Sequence, residues 1–349
     1  MRQGAAGGTI SVILHGRTVE QVIDRDERAS FRKEIVATSG SVPLAMVRKR
    51  AASAPEETRA PVLLVHGFGQ NRYAWHLPAR SFANRLASAQ FDVFNLDLRG
   101  HGRSRNLGAG RCRGIGDYVE EDLPAAVEEV QRLSHGRPVW IVGHSLGGLV
   151  AYAAAPALAG AVAGIVSIGS PYEDFTRGSL TLGAIALFFR ALNVAPLPNT
   201  PLPLAPVGFT MRSLWRFAES PFYPLPVRGW HAGSCEPHVL DQHLRLAFDR
   251  AALGEMVDLF DWAAQRRFGG RELDYVERFE RMDLPLLVIA GGNDDLAPPA
   301  SVRPAFVRSR SRDRTYRTLP SGHIDLLVGR DAPRTTWSLV SNWLTKRVA

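Results

Sequence analysis

The segment Gly143-His144-Ser145-Leu146-Gly147 matches G-x-S-x-G, with an apolar strand-like run before it and a helix-like run after it. A tight turn from strand to helix would push the Ser145 hydroxyl out of a sheet. The flanking glycines suit such a turn because a Cβ at either would meet neighbouring backbone. The helix N-terminus adds a dipole that favours developing negative charge. The plainer alternative is an ordinary strand-to-helix turn with an incidental serine. A serine hydroxyl is a poor nucleophile at neutral pH and needs a base. His323 follows the last strand-like run and precedes the last helix-like one. His66 at a strand end, His144 inside the elbow and His101 in a glycine-rich loop are weaker candidates. The base needs an acid to hold its tautomer and balance the imidazolium. Asp294 and Asp295 stand together after an apolar run. We take Asp294 and keep Asp295 as the alternative. Either could instead cap the helix that begins near Pro298. An oxyanion hole needs two backbone N–H groups, for which Leu146 and Phe68, in His66-Gly67-Phe68-Gly69, are the expected donors. The chemistry implied is acyl transfer through a covalent intermediate on Ser145.

Other motifs carry less. Gly67-Phe68-Gly69 lacks the third glycine of a dinucleotide fingerprint, and no P-loop is present. His231, Cys235, His238 and His243 fall close together, but their spacing fits no standard zinc site. The reading therefore includes no metal and no cofactor.

The elements needed to position these residues can be traced along the chain. Residues 1–30 read as a loose arm with at most one short helix. Glu34–Thr38 and Val42–Val47 flank Ser39-Gly40-Ser41, a turn signal that predicts a hairpin. Apolar runs at Val62–Val65, Phe91–Leu96, Val139–Val142 and Ala163–Ile168 then alternate with helical patterns at Arg72–Gln90, Asp117–Leu133 and Leu146–Ala157. Short strands apolar on both faces, separated by helices, predict an α/β fold: a mostly parallel sheet covered on both sides. The alternation stops over 171–283, where proline-rich and aromatic stretches read as an inserted cap. It resumes at Leu284–Ala290, with a strand near Arg314–Leu319 and a final helix over Pro333–Lys346. The core is thus read in two parts, 31–170 and 284–349.

Composition sets outer limits. The 349 residues suffice for one large α/β domain with an insertion, and the apolar fraction of 45% and charged fraction of 22% are ordinary for a folded soluble chain. The net charge is +8, but the arginines are dispersed and no nucleic-acid-binding motif accompanies them. Nucleic acid is not an expected partner. Contact with an anionic lipid surface is compatible with the charge. Two cysteines, Cys112 and Cys235, are too few for a disulfide scaffold. The first residues lack the pattern of a signal peptide, and no run is long and apolar enough to span a membrane, so the expected address is cytoplasmic.

The motifs also carry a resemblance. The chain resembles α/β-hydrolases, and within them it is similar to the acid lipases, the family of gastric and lysosomal lipases, from about Val36 to Trp343. The matching pieces include Val65-His66-Gly67, His76-Leu77-Pro78, Asp122-Leu123-Pro124-Ala125 and the elbow. The most specific is His323-Ile-Asp-Leu-Leu-Val-Gly-Arg-Asp-Ala-Pro333. Asp97–Ser104 follows the general α/β-hydrolase form rather than the lipase form. The resemblance implies the α/β-hydrolase fold and hydrolysis of a small-molecule ester or lipid. It implies Ser145, Asp294 and His323 as triad and Phe68 and Leu146 as oxyanion donors. Polyhydroxyalkanoate synthases share much of this outline but use cysteine at the elbow, where this chain has Ser145. The rival expectations are an acyltransferase or polyester-related enzyme, and a non-catalytic binding protein on the same scaffold. The apolar run Leu180–Phe189 and the prolines over Pro196–Pro206 would supply the roof of an acyl pocket.

Overall fold

A computed structural model describes residues 12–54, 58–173, 201–203, 209–210, 212–220, 223, 228–265, 268–269 and 275–348. The strands run in chain order β1 (Val12–Asp24), β2 (Glu27–Ala37), β3 (Ala45–Ala51), β4 (Pro61–Val65), β5 (Asp92–Asp97), β6 (Val139–His144) and β7 (Val162–Ile168). After β8 (Pro201–Pro203) and β9 (Arg250–Ala252), which pair with each other, come β10 (Leu286–Gly291) and β11 (Arg314–Leu319). Nine of the described strands form one sheet in the order β1-β2-β3-β5-β4-β6-β7-β10-β11. The β1, β2, β3 and β5 neighbours are antiparallel, and the pairs from β5 through β11 are parallel.

Burial explains why these runs are strands. β4, β5 and β6 are buried along their whole length. Successive side chains point to opposite faces and join different cores. Leu63 and Val65 pack on one face with α2 (Leu123–Leu133) and α3 (Leu146–Ala154). Val62 and Leu64 pack on the other, with α1 (Phe82–Ser88) and the C-terminal helix Ser338–Val348. A strand with a core on each face must be apolar throughout, and helices must cover both faces.

Several expectations change. The loose arm and short helix expected over residues 1–30 are not found among residues 12–30, which form β1, a turn at Arg25 with φ of +51°, and the start of β2. β1 is held by its backbone ladder to β2 and buries little beyond Ile23. Arg72–Gln90, expected to be mostly helical, holds one turn at Arg72–Ala74 and then α1. Pro78 lacks an N–H and interrupts a continuous helix. The Leu180–Phe189 run lies outside the described residues, as does most of Pro196–Pro206. Within residues 171–283, expected to be an insertion, the longest described helices are α4 (Pro237–Leu246) and α5 (Leu253–Ala264). Among the described residues no helix is long and apolar enough to cross a membrane.

Candidate active site

β6 runs directly into the Ser145 turn, and α3 starts at Leu146. Ser145 has φ of +53° and ψ of −121°, a sparsely populated region for a residue with a Cβ. The turn is braced: Ser145 donates its N–H to the Ile168 carbonyl at 2.9 Å. A Cβ on Gly143 would stand 2.5 Å from Gly147 backbone, and one on Gly147 would press on the carbonyl oxygens of Val65 and His66. Glycine is needed at both positions because the elbow packs backbone on backbone.

His323 follows β11 on a loop anchored by Asp325, whose carboxylate accepts the N–H of Gly322 at 2.7 Å and of His231 at 3.1 Å. Asp294 follows β10. Its Oδ2 lies 2.8 Å from His323 Nδ1, and its Oδ1 accepts the N–H groups of Leu296 and Ala297 at 2.9 and 2.8 Å. Asp295 points elsewhere, accepting from the N–H groups of Arg228 and Gly229 at 2.6 and 3.2 Å. Burial pulls the His323 pKa down, but the charge and hydrogen bond of Asp294 outweigh it and hold the value above the ordinary histidine range. His144 is buried beneath the base, with ring centroids 4.6 Å apart. Burial and the neighbouring His323 keep His144 far below the ordinary value, so it is neutral. Its Nε2 faces the His323 carbonyl at 3.2 Å and donates to it in the matching tautomer.

Ser145, His323, Phe68 and Leu146 open onto one cavity of about 340 Å³. Leu146 is the first helical residue, so its N–H has no partner within the helix. Phe68 sits in the loop after β4, which the insertion grips: Asp249 donates its N–H to Gly69 at 2.7 Å, and Asn71 donates to Ala247 at 3.0 Å. The far wall is apolar, built from Leu244, Phe248, Met256, Leu259 and Phe260 of the insertion with Trp230 beside them. Among the described residues no three His, Cys, Asp or Glu side chains converge as metal ligands. Cys112 and Cys235 are both free and buried.

Residues 60–330 match the family described as alpha/beta hydrolase fold. The chain belongs to that family. Among this α/β hydrolase's relatives is the poly(3-hydroxyalkanoate) polymerase subunit PhaC of Haloferax mediterranei, 26% identical, with 97% of this chain and 72% of that protein aligned. Another is the human monoglyceride lipase, 23% identical over 83% of this chain and 84% of the lipase. The fold resembles the crystal structure of the Paleococcus ferrophilus monoacylglycerol lipase with a TM-score of 0.61 and 18% identity, covering 87% of this chain and 99% of that one.

Within this α/β hydrolase, two site residues escaped the sequence reading. Gln70 lines the cavity, and its Nε2 lies 3.3 Å from Nε2 of the buried His243. Asp325 anchors the His323 loop. A signal existed for Asp325, which lies inside the quoted His323–Pro333 segment. None existed for Gln70, whose neighbour His243 is remote in sequence.

Proposed function

We propose that the protein is a serine hydrolase of carboxylic esters with apolar acyl groups, working through an acyl-enzyme on Ser145. One observation carries the reading: the strained Ser145 turn and His323, hydrogen-bonded to the buried Asp294 behind it, open onto the same apolar cavity. In this reading Ser145 Oγ attacks the ester carbonyl while His323 takes its proton. The N–H groups of Phe68 and Leu146 hold the oxyanion. His323 then gives the proton to the leaving alcohol, and on deacylation activates a water and returns its proton to Ser145. Asp294 keeps the imidazole in one tautomer and balances its charge. Residues 171–283 act as the cap. The monoglyceride lipase relative supports hydrolysis, and the His323–Pro333 segment supports the acid-lipase likeness. A second reading, acyl delivery to another alcohol or thiol, draws on the PhaC relative. The serine at the elbow favours water as acceptor. Ser145→Ala should keep its fold by circular dichroism, lose labelling by a fluorophosphonate probe and lose esterase activity. Labelling that persists in the folded variant would remove Ser145 from the role. Product analysis with an added alcohol separates the two readings, since a transferase would form new ester in preference to free acid.

A further inference from the structure

The sheet carries a row of like charges that its own stability does not explain. In the antiparallel ladder Arg17 lies opposite Lys33, and Lys33 lies opposite Lys49. Like charges directly opposite in a sheet are destabilising. Lys33 and Lys49 line a second cavity of about 340 Å³, which shares no lining residue with the candidate active site. Arg72 and Arg103 reach the same cavity from the loops after β4 and β5. Its other charged wall residues are Arg28 and Glu20, which pair with each other at 2.9 Å. Arg72 is matched by Asp97 at 2.7 Å. Among the described residues no carboxylate pairs with the side chains of Lys33, Lys49 or Arg103.

Lys49 is fixed in place beneath the cavity, Lys33 is half-buried and Arg103 is exposed. Lys49 is 1% exposed, and its Nζ is held by neutral groups: Gln21 Oε1 at 2.7 Å, Asn84 Oδ1 at 2.6 Å and His76 Nδ1 at 3.2 Å. His76 Nδ1 also faces Ser81 Oγ at 2.7 Å. Burial, with Lys33 and Arg72 adding to it, holds the Lys49 amine well below the ordinary lysine range. Burial and the nearby arginines lower Lys33 too. A site that holds amines against their own ionisation gains when an anion arrives.

We propose that this cavity binds a phosphate monoester, with Lys33, Arg72 and Arg103 as its cationic ligands. A phosphate monoester carries about −1.5 to −2 charges at neutral pH and accepts several charge-assisted hydrogen bonds. That suits a wall carrying Lys33, Arg72 and Arg103 better than a single carboxylate does. The cavity exceeds a bare phosphate, and Val22, Val47, Tyr73 and Pro78 give it apolar wall for an organic remainder. The ester could be a soluble small molecule or the headgroup of a lipid.

The test uses the full chain, the double variant Lys33→Gln/Arg103→Gln and a control, Arg312→Gln, whose side chain is 93% exposed elsewhere. Glycerol 3-phosphate is titrated by calorimetry at constant ionic strength, and sedimentation is measured with vesicles containing phosphatidic acid in phosphatidylcholine. The wild type and the control should bind, and the double variant should lose about tenfold or more in affinity, the loss expected for removing charge-assisted contacts. Saturable heat with glycerol 3-phosphate identifies a soluble ligand. Sedimentation that depends on phosphatidic acid and on Lys33 and Arg103, without such heat, identifies a lipid headgroup. Ester hydrolysis by the double variant should equal wild type, which verifies its fold. As a second readout, glycerol 3-phosphate should raise the wild-type Tm. No heat, no Tm shift and no phosphatidic-acid dependence in the wild type would overturn the proposal. So would equal binding by the double variant.

Discussion

Asp294 meets His323 Nδ1 through Oδ2 at 2.8 Å, while Asp295 gives both of its oxygens to the backbone of Arg228 and Gly229. Neighbours in sequence therefore stand in different electrostatic settings. Under the proposed mechanism, Asp294→Asn removes the charge partner of the base and allows the wrong tautomer, so kcat should fall by about 10⁴-fold. Asp295→Asn should lose far less, through a looser 228–229 segment. Steady-state kinetics on a p-nitrophenyl ester rank the two, and the opposite ranking would move the acid role to Asp295. The pH dependence has a definite sign. The fold raises the His323 pKa, so the stabilisation from the charged pair is present below the unfolded value of about 6.5 and is lost as pH rises through the folded value. Catalysis needs the neutral base, so kcat/KM should rise with pH across that same interval. Its acid limb should lie above about pH 6.5 and move down in Asp294→Asn, as a pH–rate profile of both proteins would reveal. An acid limb unmoved by Asp294→Asn would detach the observed titration from this pair.

At the scale of elements, Leu63 and Leu64 are adjacent, fully buried and committed to opposite cores. Leu63→Ala and Leu64→Ala should each cost about 2–5 kcal/mol, because each leaves a cavity in a packed layer. Ile13→Ala, on a side chain 45% exposed in β1, should stay within about 0.5 kcal/mol. Urea unfolding distinguishes these cases, and a mild Leu64→Ala would mean that the second core is loosely packed. The same contrast explains what the sequence made legible. Runs such as Val62-Leu-Leu-Val65 declare a strand because both faces must be apolar, and the βα alternation then dictates a parallel sheet. β1 carries no such signal, since Arg17, Glu20 and most of its side chains face solvent and its place comes from backbone pairing. Arg72–Gln90 looked helical, yet its first half is a loop tied to β5 through the bond between Arg72 N–H and Asp97. The candidate triad was legible because G-x-S-x-G fell between a strand and a helix. Residue type alone does not separate Asp294 from Asp295, so the preference for Asp294 leaned on the family resemblance, and loop geometry is what divides their partners.

Across the whole molecule, the open question is what the cavity beside Ser145 selects. The sequence pointed to Leu180–Pro206 for an acyl roof, a stretch that lies almost wholly outside the described residues, and the described apolar wall comes from α4, α5 and the segment between them. Leu244, Phe248, Met256, Leu259 and Phe260 offer hydrocarbon or ring surface to an acyl chain. Arg228 also reaches the cavity lining, but its guanidinium donates to the Ser220 carbonyl at 3.1 Å and lies 5.1 Å from the Tyr223 ring centroid. Each methylene moved from water into such a wall contributes about 0.8 kcal/mol. If that burial is retained in the transition state, kcat/KM should rise up to about fourfold per methylene, since 1.4 kcal/mol is a factor of ten. A cavity of about 340 Å³ sets an end to the series, so the rise should run through short and medium chains and then level off. Esters with charged acyl groups should be poor substrates, because burying an unpaired charge against this wall costs more than the chain returns. The measurement is kcat/KM for p-nitrophenyl esters from acetate to dodecanoate, repeated with Phe260→Ala. In that variant the steepness of the rise should fall while acetate hydrolysis changes little, because Phe260 belongs to the wall and not to the reacting groups. A flat or falling series from acetate to octanoate would remove the acyl pocket from this cavity and leave a hydrolase of small esters.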